Sequence, residues 1–207
     1  MRSLIYVPII HSEVDMGSLQ EAFRNHKIQL VGHKKWNTTV KTVEQMWKQI
    51  RALFDSTHLD YRKVRVYQDG LADCGRETEI VMELAKAGSL NYQFLCDLIK
   101  KGATVMGTES PILLVEEYEL IKQMHDENDG RAARSFEQKM LTVSRSLLKR
   151  RDKYIADRIN CTLGQSEIGV VFVGMLHSLQ EYLASDIRVS YPMRPASSSL
   201  RKADHGN

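Results

Sequence analysis

Short apolar, β-rich runs that close on a polar side chain, separated by segments of helical period, constrain this chain more than any other feature. Residues 4–10 are apolar on both faces and lead into His11-Ser12. Residues 64–67 end at Gln68-Asp69-Gly70, and residues 103–106 end at Gly107-Thr108-Glu109. Residues 168–173 form the clearest run and pass through Gly174-Met175-Leu176 to His177. A last short strand is expected at 187–189. Between the runs, apolar spacing predicts helices over 42–54, 77–87 and 111–124, with Pro111 in a first turn that tolerates it. A further helix is capped by Ser89 and ends at Gly102, and a long one spans 131–163. Ser18 is a cap for an early helix, 125–130 read as a solvated loop, and 178–184 as a short helix. Strands alternating with helices predict an α/β fold: a central, mostly parallel sheet flanked by helices, one of them long and C-terminal.

In such sheets ligands gather where the strands end. His11, Asp69, Glu109 and His177 are therefore expected along one edge. The 207 residues suit a single α/β domain over 1–191, with a Pro-, Ser- and charge-rich tail over 192–207 expected to be disordered. Apolar residues at 43% and charged residues at 27% match a water-soluble globular chain. No uncharged apolar run approaches the roughly 18 residues of a membrane span. The apolar N-terminus lacks the pattern of a secretory leader, so a cytoplasmic location and no membrane partner are expected. A net charge of +3 does not point to nucleic acid. Three scattered cysteines, Cys74, Cys96 and Cys161, fit neither a zinc knuckle nor a redox motif.

Imidazole carries protons and binds metals near neutral pH, so two histidines mounted at strand ends invite two readings. With Glu109 they are ligands of a divalent ion that activates water or polarises a carbonyl. Without a metal, one acts as a general base. The bland alternative is that each only bonds backbone. Glu109 also reads as a helix-start acid, and Asp69-Gly70 as a turn pair. Phe136, Met140, Val143, Leu147, Tyr154 and Ile155 recur on one stripe of the long helix, and Arg151 and Arg158 fall on that stripe. A guanidinium facing a core requires either an internal carboxylate or a bound anion. Lys149, Arg150 and Lys153 read as a solvated basic face. Motifs for an activated serine, a phosphate-binding loop or a zinc protease are missing.

The segment Arg151-Asp152-Lys153-Tyr154-Ile155-Ala156, followed by a strand and Gly174-Met175-Leu176-His177, resembles the TraB/GumN/Tiki superfamily, which takes in erythromycin-esterase-like and ChaN-like proteins. The likeness is clearest over 150–178. His11 matches a first strand-end histidine, with Pro8 where the family has glycine. The resemblance implies a hydrolase, with or without a divalent ion, that cleaves an ester, lactone or peptide bond in a small-molecule or peptide substrate. His11, His177, Glu109 and Arg151 would be catalytic, Arg151 and Asp69 would contact substrate, and His11, His177 and Glu109 would hold the metal. The alternative is a non-catalytic binder of haem or a small anion in the same cleft.

Overall fold

A computed structural model describes residues 1–15, 20–126 and 133–193. Strands β1 (Arg2–Ile9), β2 (Val64–Ala72), β3 (Thr104–Glu109), β4 (Ile168–Gly174) and β5 (Ile187–Ser190) form one sheet of order β3-β2-β4-β1-β5. Every pairing is parallel, with Ile5 opposite Val170 and Tyr67 opposite Val171. The α/β expectation is met. Helices α1 (Gln20–Ser56), α2 (Glu77–Lys86), α3 (Leu90–Lys100), α4 (Pro111–Asp126) and α5 (Ala133–Thr162) flank it among the described residues. No helix among these residues is long and apolar enough to cross a membrane. The Ser18 cap, most of the 125–130 loop and the tail from 194 lie outside the described residues.

Strand alternation divides the core in two. Val7, Ile9, Val66, Val170 and Phe172 face one way, against Trp47, Ile50 and Phe54 of α1 and Phe94, Leu95 and Leu98 of α3. Leu4, Tyr6, Tyr67, Val171 and Val173 face the other way, against Ile155 and Ile159 of α5. Successive side chains of a strand point to opposite faces, so the sequence pattern dictates this split. Ser89 caps α3 as expected, its hydroxyl accepting from the Tyr92 amide at 3.1 Å.

Three elements differ from expectation. The first helix extends well upstream of residue 42. There Thr38, Thr39 and Thr42 turn their hydroxyls onto carbonyls one turn back, at 2.9–3.1 Å, so a β-branched run stays helical. Its ladder is broken at Gly32, where φ is 78°. The helix expected over 178–184 is a single 3-10 turn, Gln180–Tyr182. Strand β2 does not turn at Asp69-Gly70. It runs on to Ala72, with Gly70 at φ 80° and a register shift against β3 between Gln68 and Ala72. The Asp-Gly pair is a bulge within a strand.

Candidate functional site

Because the strands are parallel, β1, β2, β3 and β4 all finish on one edge of the sheet. The chain leaves β2 toward β3 and leaves β4 toward β5, on opposite sides. The gap between the ends of β2 and β4 is thus a topological switch point, where open α/β sheets bind ligands. The bulge in β2 sets Asp69 beside this gap. Asp69 is buried, and its Oδ2 accepts from the Gly174 amide at 2.8 Å. A Cβ at position 174 would lie 3.2 Å from that oxygen and 3.4 Å from His11 Nε2, so glycine there lets the groups close up.

Both histidines converge on the same carboxylate oxygen. Asp69 Oδ2 is 2.9 Å from His11 Nε2 and 3.1 Å from His177 Nε2. Behind His177, its Nδ1 lies 2.5 Å from Asp152 Oδ1, and the other Asp152 oxygen accepts from the Ser178 amide at 3.1 Å. His11 Nδ1 is 3.9 Å from Asp15. The two rings differ in access: the His11 side chain is 20% exposed and the His177 side chain 5%.

Arg151 binds the other half of the cluster. Its Nη2 donates to Asp69 Oδ1 at 2.8 Å and to Glu109 Oε1 at 2.7 Å. Its Nε adds bonds to Glu109, and its Nη1 donates to Glu117 of α4. Of the two partners the sequence allowed for this guanidinium, an internal carboxylate is the one observed. Arg158 likewise pairs with Asp73 at 2.8 Å. Arg150 and Lys153 lie outside, paired with Glu116 and Asp157, as a solvated face should.

The environment sets the protonation states. Burial alone would pull the His177 imidazole down, but Asp69 and Asp152 outweigh it and push the group up to about 10. His11 is also raised: burial opposes its charge, and Asp69 more than offsets that. Burial would raise Asp69, yet the two imidazoles hold it well below the usual carboxylate range. Glu109 goes the other way. Burial lifts it to about 7, Arg151 only partly opposes this, and the neighbouring Asp69 carboxylate adds to the rise. At neutral pH the cluster therefore holds an imidazolium at 177 and a carboxylate at 69, beside a Glu109 that burial makes a weaker acid than an ordinary glutamate.

Of the expected site residues, His177 lines a hollow. A cavity of about 390 Å³ lies against the ends of β1 and β4, and His177 forms part of its wall with Tyr6, Pro8, Met175, Leu179 and Tyr191. His11, Asp69, Glu109 and Arg151 are not among the residues that line it. Asp152 and Gly174 stand in the motif that carries the resemblance, but the sequence assigns no role to them or to Glu117. Asp152 follows Arg151 directly within a run of basic residues, and only the helix register shows that it turns toward His177.

A divalent ion was expected on His11, His177 and Glu109. The donor atoms that lie within 4.8 Å of one another belong to Asp69, Glu109 and His177. This mixed oxygen and nitrogen set has the chemistry of a metal site. The cation's place is already filled, however: the Arg151 guanidinium sits between the two carboxylates, and Asp69 Oδ2 already has three partners. Arginine does not give up its proton. A dication there would face a fixed positive charge, so the residues in this arrangement do not fit one. Both nitrogens of His177 are bonded to carboxylates, which also leaves neither free as an axial ligand for haem.

Compared with known proteins, the chain matches no family model, no curated protein and no solved structure.

Proposed function

We propose that the chain is a metal-free hydrolase that cleaves an ester, lactone or peptide bond held in the 390 Å³ hollow, with His177 as general acid. One observation carries this reading: an imidazole fixed between Asp152 and Asp69 forms part of the wall of a hollow at the ends of β1 and β4, next to the sheet's switch point. Asp152 fixes the ring's orientation through Nδ1. The Nε2 proton is bonded to Asp69, and it reaches a leaving group in the hollow by exchanging that bond. Water adds to the substrate carbonyl, and the bond from carbon to the leaving group breaks. The leaving group takes the proton from His177 Nε2, and the proton of the attacking water restores the imidazolium. Asp69 and Asp152 favour the return of that proton, so the ring is charged again before the next turnover. Arg151, His11 and Glu109 do not reach the hollow; they hold Asp69 in place and set its charge.

The test is turnover of a panel of esters, lactones and short peptides. Removing a positioned general acid costs roughly 10²- to 10⁴-fold in rate. His177→Gln, which keeps the size and one donor, is expected to lose activity by that factor while retaining its circular dichroism spectrum. Activity of the parent is expected to fall as pH rises through about 10, where the His177 proton is lost. A folded His177→Gln chain with undiminished turnover contradicts the reading. Binding of ligands in the hollow without any turnover would favour the second reading, a non-catalytic binder. That reading draws on the completeness of the network around His177, which leaves no ring nitrogen unbonded.

A further inference from the structure

The lining of the hollow bears on what it accepts. Among the described residues, no lysine, arginine, aspartate or glutamate lines it. Its lining is mostly apolar, from Tyr6, Tyr191, Pro8, Leu179 and Met175, with the uncharged polar residues Ser178 and Gln180 beside them. The two tyrosine rings stand 5.1 Å apart between centroids and are inclined at 41°. Each is fixed by its hydroxyl. Tyr6 donates to the His177 carbonyl at 3.2 Å, and Tyr191 accepts from the Gln180 side-chain amide. The rings therefore form a rigid apolar corner directly beside the imidazole. Outside it, Met175 at 60% and Leu176 at 83% exposure continue the apolar surface onto the rim.

The one charged group at the wall offers nothing to an anion. The positive charge of His177 is already matched by Asp69 and Asp152 at its two nitrogens. A substrate carboxylate would meet two negative groups behind a single imidazolium, and it would lose water without gaining a cation. A flat apolar group, in contrast, stacks or sits edge-on against the tyrosine rings.

We infer that the hollow selects an uncharged substrate whose scissile carbonyl bears a flat aromatic group. This rests on the hydrolase reading for the word substrate; the selectivity itself is a property of the walls. The experiment is a ligand-detected NMR titration of the full chain near neutral pH with three probes of similar size. N-methylbenzamide is flat and neutral, benzoate is flat and anionic, and N-methylcyclohexanecarboxamide is neutral but not flat. N-methylbenzamide is expected to bind most tightly. An aromatic contact is worth about three- to tenfold in affinity, and Tyr191→Ala should weaken this probe by that factor. Tyr191→Phe, which keeps the ring and loses only the bond from Gln180, should weaken it less than Tyr191→Ala does. Tyr191 is partly exposed, so both variants are expected to fold. Benzoate binding as tightly as the amide, or Tyr191→Ala without effect on it, overturns the inference. Turnover with no preference for aromatic esters would also overturn it and leave the hydrolase reading standing. Selective binding of the aromatic amide without turnover would support it and remove the hydrolase reading.

Discussion

The two faces of the sheet are built from opposite materials. On the face toward α1 and α3, the rings of Trp47, Phe54, Phe94 and Phe172 interlock with centroids 5.5–6.1 Å apart. On the face toward α5, a small apolar cluster around Ile155 and Ile159 gives way at the strand ends to buried Asp69, Glu109, Arg151 and Asp152. The first face draws its stability from burial, which has no protonation state. The second depends on charges that must be matched to stay buried. Buried ion-pair networks and functional sites both perturb such groups, and here one of them, His177, also lines a hollow.

The comparison can be broken most forcefully by one deletion on each face. Phe172→Ala empties the aromatic cluster and is expected to cost about 3–5 kcal/mol. Arg151→Ala strands Asp69 and Glu109 and is expected to cost about 3–5 kcal/mol near pH 8. The two should part company with pH. Urea denaturation should give the same loss for Phe172→Ala from pH 5 to pH 8. For Arg151→Ala the loss should shrink toward pH 5, as Glu109 takes up a proton. Equal pH dependence of the two losses would erase the distinction between the faces.

A smaller effect follows from the parent chain alone. His177 is raised from 6.5 to about 10, so its contribution to stability is fully present below 6.5 and is lost as pH rises through 10. Glu109, raised from 4.5 to about 7, contributes in the same sense, its part being lost between those values. Asp69, depressed, contributes above 3.8, and that part is lost as pH falls through its lower folded value. Stability should therefore decline from pH 6.5 toward pH 10, with a shallower slope in His177→Gln. The smallest effect sharpens the picture by adjacency. Arg150, next to Arg151 in sequence, is an exposed partner of Glu116, so Arg150→Ala is expected to leave the urea midpoint almost unchanged.

What could be read from the sequence follows the same division. The strands, their parallel alternation with helices and the edge where His11, Glu109 and His177 lie all follow from apolar period and punctuation. Asp69 was expected at that edge but also fitted a turn, because Asp-Gly chemistry serves turns and bulges alike; only the pairing of β2 with β3 separates the two. Arg151 was legible as a charge on an apolar stripe, since helix period alone places it there. Its partners were not, because Glu109 and Glu117 come from elements more than thirty residues away. Asp152 was hidden by its basic neighbours. The hollow itself depends on how Tyr191, near the last described residue, folds back over Tyr6, and no local pattern encodes that contact.

The account stands on the charge of one ring. In an imidazole ¹⁵N–¹H correlation experiment across a pH titration, with His177 assigned from the spectrum of His177→Gln, the account predicts that both nitrogens of His177 stay protonated well above neutrality and titrate only near pH 10. A ring that loses its proton near 6.5, like a histidine in water, would contradict it: Asp152 and Asp69 would then not be holding the imidazolium, and the proton proposed for the leaving group would not be there.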